Sequence, residues 1–163
     1  MKNLLIIWHS LTTGTQQLAQ SVAVGARREA QVQVRLVPAM QAQTEDVLAA
    51  DGLVFATPEN LAAMSGLMKD FFDRCYYPLL GKIDGKAYAS VICAGSDGEN
   101  AARQIARIAT GWRLREVALP LIIHTNAQTP ASILALKQIP QPDLKRCEDL
   151  GLTLALGLVM GLF

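Results

Sequence analysis

Apolar runs of strand length alternate along this chain with amphipathic stretches of helical length, and that alternation admits few folds. Leu4–Trp8 is continuously apolar, as a strand covered on both faces requires. Thr15–Ala30 carries Leu18, Val22 and Ala26 on one stripe. Arg27 and Arg28 fall near its end, where a helix dipole favours cations. Val32, Val34 and Leu36 alternate with Gln33 and Arg35, so the second strand shows one face to water. Leu53–Ala56 and Ala87–Ala94 read as buried strands. Ala62–Arg74 and Gly98–Thr110 read as helices, the second opened by Ser96 and Glu99 in capping-box spacing. Glu116–Ile123 is a fifth strand containing Pro120. Thr125–Gln141 is a long connection with a short helix expected from Pro130 to Lys137, and Pro142–Leu162 is the closing helix, with Pro142 in its first turn.

Five strands separated by helices predict a doubly wound parallel α/β sheet, with right-handed crossovers and helices on both faces. Pro120 cannot donate a ladder hydrogen bond, which sends the fifth strand to an edge. The alternating second strand also suits an edge, and the uninterrupted first, third and fourth suit the middle. Order 2-1-3-4-5 meets all these demands. The 163 residues have the length of one domain, so residues 1–163 are expected to form a single unit.

Composition narrows the function. A net charge of +1 argues against the clustered basic face of a nucleic-acid binder and against a strongly acidic carrier. Three cysteines at wide spacing, with no C-x-x-C, argue against a disulfide framework or a metal site. A reducing compartment follows, and a cytoplasmic location is expected. The run Leu4–Trp8 is too short for a signal-peptide core. The uncharged tail Leu150–Phe163 falls short of the roughly 20 residues of a membrane span.

In an open α/β sheet the ligand lies beyond the carboxyl ends of the strands, where strand order reverses. That point is between the first and third strands. The first loop there, Ser10-Leu11-Thr12-Thr13-Gly14-Thr15, brings four hydroxyls and a glycine to a helix start. Backbone N–H groups at such a terminus attract anions. No Asp or Glu occurs before Glu29, although first turns usually welcome acids. A carboxylate there would repel a bound phosphate. An N-cap within a polar loop would explain one or two hydroxyls, but not the acid-free stretch. Neither a G-x-x-x-x-G-K loop nor a G-x-G-x-x-G fingerprint is present.

His9-Ser10-x-Thr12-x-x-Thr15 followed by Leu18-Ala19 resembles the FMN-phosphate loop of the flavodoxin superfamily. The stretch from Thr57 to Arg74 carries a T-P-x-x-x-x-x-M-S-G-x-x-K-x-F-x-D-R pattern. It resembles the second flavin loop of the NADPH-dependent FMN reductase and multimeric flavodoxin-type quinone reductase group. The resemblance covers roughly Leu4 to Ile123 and is uninformative through Thr125–Gln141. It implies a flavodoxin-like fold and an FMN held by three loops. Ser10, Thr12, Thr13, Gly14 and Thr15 would hold its phosphate. Thr57, Pro58, Glu59, Asn60, Leu61 and Ala62 would border the ring. Ala94, Gly95, Ser96, Asp97 and Gly98 would meet its pyrimidine end. NAD(P)H is the implied cosubstrate, a quinone or flavin the implied acceptor, and a homodimer or higher homo-oligomer the implied assembly. Two departures are visible. Thr13 stands where relatives often carry glycine, with Gly14 one place later, so the left-handed residue is expected at Gly14 or at a strained Thr13. Asn60 replaces an aromatic that many relatives carry.

Individual residues divide between roles. His124 ends the fifth strand on the ligand side; it suits proton transfer as a catalytic residue, or a simple bond to backbone. His9 reads as structural. Glu59 could orient the ring or a cosubstrate, and Asp97 more readily fixes its own turn. Lys69 and Asp73 have ion-pair spacing. Trp8 is expected in the core, and Trp112, Tyr76 and Tyr77 at the cleft or, better, a subunit seam. The loops at 57–66 and 94–100 contain no Trp, Tyr or Phe, which favours an enzyme with an open flavin face over an electron carrier that sandwiches its flavin. A flavodoxin-type carrier and a cofactor-free binding module are the alternatives.

Overall fold

The computed structural model describes all residues, 1–163. The strands are β1 (Lys2–Trp8), β2 (Val32–Pro38), β3 (Gly52–Asn60), β4 (Ala63–Met64), β5 (Ala87–Ala94), β6 (Arg115–Glu116) and β7 (Leu121–His124). The helices are α1 (Gly14–Ala26), α2 (Thr44–Ala49), α3 (Gly66–Leu79), α4 (Glu99–Gly111), α5 (Pro130–Leu134) and α6 (Gln141–Met160). The parallel sheet runs β2-β1-β3-β5, and β6 and β7 both pair with β5 at the far edge. This is the flavodoxin-like order, with the fifth strand in two pieces.

Alternation along β1 builds two cores. Leu5 and Ile7 face one side with Phe55, Phe71, Phe72 and Trp112, beneath α3 and α4. Leu4 and Ile6 face the other with Leu18, Val22, Val54 and Leu154, beneath α1 and α6. On that second side two helices touch backbone to backbone. A Cβ on Gly25 would lie 1.8 Å from the Glu148 carbonyl oxygen, and one on Gly151 would lie 2.0 Å from the Val22 carbonyl oxygen. Only glycine permits that approach.

Several boundaries differ from the sequence expectation. The strand expected over Glu116–Ile123 is interrupted between Glu116 and Leu121, at the segment carrying Pro120. The helix expected from Ala62 begins at Gly66 instead. Residues 61–64 close a hairpin, with Asn60 paired to Ala63 and Glu59 to Met64, and Ser65 caps α3 by accepting from the Met68 N–H. α3 then runs to Leu79, past Arg74. The capping box of Ser96 and Glu99 does not form, because the N-cap is Gly98 in the left-handed region at φ 98°. α1 stops at Ala26, leaving Arg27 as its C-cap. The short helix after Pro130 ends at Leu134. α2 has no counterpart in the periodicity: six residues are too few for a helical pattern to emerge. Trp112 is 5% exposed and packs on Phe71 and Phe72, so it belongs to the core rather than to a cleft or seam.

Candidate functional site

A cleft of about 510 Å³ opens between the carboxyl ends of β1, β3 and β5. The first loop contributes Ser10, Leu11, Thr12, Gly14 and Thr15 to its walls. The second contributes Pro58 through Leu61, and the third Ala94 and Gly95. No aromatic side chain lines it.

The first loop is shaped by Thr13. It is the N-cap of α1 and adopts φ 65°, a left-handed conformation that costs a threonine about 1–2 kcal/mol. Gly14, by contrast, needs no positive φ. Its smallness serves packing, since a Cβ there would lie 2.7 Å from the Cys93 sulfur. Thr13 Oγ1 turns away from the cleft and donates to the Thr12 and Lys137 carbonyls. The first turn of α1 carries no acid.

Polar atoms left without partners concentrate here. Ser10 Oγ and Thr15 Oγ1 are buried and unpaired, as are Trp8 Nε1 and His9 Nδ1 at the end of β1. The only other such atom, Ser90 Oγ, lies within β5. Buried hydroxyls are normally hydrogen-bonded, so a cluster of orphans at a helix start suits an anionic ligand. A phosphate monoester at this loop therefore suits the donors present. Burial holds His9 below the ordinary imidazole range. Burial also pushes the Cys93 thiol up to about 11, opposed more weakly by the Thr15 hydroxyl and the Lys137 charge beside it; apart from this soft approach to sulfur, Thr15 Oγ1 has no partner.

The second loop is a tight turn. Leu61 and Ala62 both have positive φ, 49° and 59°, as a two-residue hairpin turn of type I′ demands. Leu61 is fully exposed at its tip. Three side chains tie this hairpin to its neighbours. Glu59 accepts from the Gly98 N–H at 2.8 Å and the Ala101 N–H at 3.2 Å, so its carboxylate caps α4 from outside. Asn100 donates to the Ala62 carbonyl, and Gln104 accepts from the Met64 N–H. Thr57 is buried, with its hydroxyl accepting from the Ser65 N–H. In the third loop Asp97 Oδ1 accepts from the Glu99 N–H.

Of the three predicted loops, Ser10, Thr12, Gly14, Thr15, Pro58, Glu59, Asn60, Leu61, Ala94 and Gly95 come together around one cleft. Thr13, Thr57, Ala62, Ser96, Asp97 and Gly98 stand behind or beside it. His124 does not reach the cleft wall. Its Nε2 lies 2.6 Å from the Asp97 carbonyl, which ties the end of β7 to the third loop. Glu59 likewise spends its carboxylate on α4.

The segment 125–141, which no motif marks, closes the cleft. Thr125, Ala127, Ile133 and Lys137 complete the cleft. Lys137 donates its N–H to the Thr12 carbonyl, and Gln17 clamps the segment by donating to the Lys137 carbonyl and accepting from the Ile139 N–H. No periodicity marks such a residue; a lone cation in a polar connection was its only signal.

The model of NADPH-dependent FMN reductases matches residues 13–125, more than half of the chain. The chain belongs to that family. The family comprises FMN-binding oxidoreductases of flavodoxin-like fold, and the matched span contains the second and third loops. A flavodoxin from Aquifex aeolicus is 40% identical over 98 residues, 60% of this chain and 53% of that protein. An NAD(P)H dehydrogenase (quinone) from Acidithiobacillus ferrooxidans is 33% identical over 94 residues, 45% of this chain and 47% of that protein. These alignments span about half the length of each relative. A flavodoxin from the domain Archaea superposes with a TM-score of 0.78 at 17% identity, over 96% of this chain and 99% of that one, a likeness of fold. No helix is long and apolar enough to cross a membrane, and no cluster of metal-ligating residues occurs.

Proposed function

We propose that residues 1–163 form one flavodoxin-like unit that binds FMN in this cleft and passes reducing equivalents from NAD(P)H to a quinone, flavin or similar acceptor. The orphaned hydroxyls of Ser10 and Thr15 at the acid-free start of α1 carry the FMN assignment. Bound there, FMN would supply the hydride and electron chemistry. The chain's own part is to bind and orient. Ser10, Thr12, Gly14 and Thr15 would receive the phosphate. The β3–β4 turn and Ala94–Gly95 would border the ring. Glu59, Asn100 and Gln104 would hold the turn rigid. No protein nucleophile is needed.

The absence of aromatics from the cleft favours turnover over simple electron carriage, because a second small molecule needs an uncovered ring face. A carrier role is the second reading, and the flavodoxin relative favours it. A homo-oligomer in a reducing, cytoplasmic setting is the expected context. The exposed Tyr77, its ring tilted against Tyr76 at 5.0 Å, is a natural contact for a second copy. An absorbance spectrum before and after adding FMN tests the cofactor. Steady-state oxidation of NADH or NADPH with added quinone or free flavin tests the reaction. A protein that stays colourless with FMN would reject the flavin reading. A yellow protein that turns over neither nucleotide would select the carrier.

A further inference from the structure

We infer that Lys137 provides the cationic half of the phosphate site, so that the cleft selects phosphorylated flavin over riboflavin. The inference rests on the flavin reading above and deepens it. Lys137 lies beyond α5, in the connection that the family resemblance leaves blank. Lys137 is partly buried, and its ammonium meets only neutral oxygens: Thr12 Oγ1 at 3.3 Å, the Ile133 carbonyl at 2.8 Å and the Ala135 carbonyl at 2.6 Å. None of the protein's ion pairs includes it. Its three N–H donors are thus satisfied, but its charge at the cleft wall has no opposite charge beside it.

What would complete it is set by the neighbours. The Lys137 stem packs over Gly14, with its Cγ 3.4 Å from where a Gly14 Cβ would sit. Ser10, Gly14 and Thr15 line the same cleft, and Thr15, 1% exposed, has its hydroxyl unpaired. The cation, the orphan hydroxyls and the start of α1 thus border one cleft. A dianionic phosphate monoester satisfies all of them together; a neutral ribityl chain satisfies only the hydroxyls. The backbone around Lys137 is fixed independently of its charge, through Thr12, Thr13 and Gln17. Replacing the side chain should therefore leave the clamp in place.

The test is fluorescence titration with FMN and with riboflavin, on wild type, Lys137→Met and Lys137→Arg, at low and high salt. Wild type is expected to prefer FMN. Lys137→Met should weaken FMN binding roughly ten- to a hundredfold and leave riboflavin unchanged. Lys137→Arg should recover most of the FMN affinity, and salt should weaken FMN more than riboflavin in wild type. Equal FMN affinity in wild type and Lys137→Met, or equal loss of both flavins, would overturn the role of Lys137 while leaving the flavin site standing. Should Lys137→Met not fold, the salt comparison on wild type decides: no greater salt dependence for FMN than for riboflavin overturns the inference. Binding of neither flavin by wild type overturns the flavin reading itself.

Discussion

Gly14 and Cys93 meet at the floor of the cleft, and a single methyl group is enough to part them. Gly14→Ala should lower stability by about 1–3 kcal/mol, because its Cβ would sit 2.7 Å from the Cys93 sulfur. Adding Cys93→Ala should restore most of the loss, and urea unfolding of the two single variants and the double one measures the coupling. His9 acts through protons instead. Burial depresses its folded-state pKa below 6.5, so the unfolded chain binds the proton more tightly. The resulting stability is present above about pH 6.5 and is lost as pH falls through the lower, folded value. A His9→Asn variant should show a shallower fall of Tm with acidification. At this scale the hydroxyls of the first loop were legible, since an acid-free, Ser/Thr-rich helix start is a local pattern. Lys137 was not, because it arrives from 125 residues away along the chain, through a Thr12 contact that no local spacing encodes.

The β3–β4 hairpin holds two non-glycine residues, Leu61 and Ala62, in the left-handed region. Each carries about 1 kcal/mol of backbone strain. Leu61→Asn with Ala62→Gly supplies the residues that a type I′ turn prefers and should raise stability by about 1–2 kcal/mol, read by thermal unfolding. If the rigid Leu61 tip shapes the cleft, the same variant should weaken flavin affinity while it stabilises the fold. The misplaced start of α3 has the same origin. Leu61-Ala62-Ala63-Met64 reads as a good helix entry by propensity, yet Glu59, Asn100 and Gln104 pin it as a hairpin from outside. The core strands and the helices α1, α3, α4 and α6 were legible because each repeats its apolar period for several turns or residues. The Ser96–Glu99 spacing forms no capping box because Glu59, from β3, serves the Gly98 and Ala101 N–H groups at the start of α4.

The molecule as a whole depends on the α1–α6 crossing, which covers one entire face of the sheet. Gly151→Ala should cost at least about 2 kcal/mol and shift the denaturation midpoint more than any exposed substitution on α6, since its Cβ would lie 2.0 Å from the Val22 carbonyl. The strand order was legible from prolines and alternation, and Pro120 at the interruption between β6 and β7 now bears on how the folded molecule behaves toward its own kind. The outer flank of the sheet there offers two short ladders, of two and four residues, separated by a stretch with no pairing. The opposite flank, β2, ends at Pro38 and projects Arg35 outward to Asp46. The broken flank therefore lacks the long, flat row of free amides and carbonyls that templates fibril growth, whereas the seven-residue β2 edge is blunted only by its charged Arg35 and its terminal proline. Edge-to-edge growth of the sheet thus has a charged, proline-ended strand on one side and a broken one on the other, which favours helices and loops as the surfaces through which copies meet.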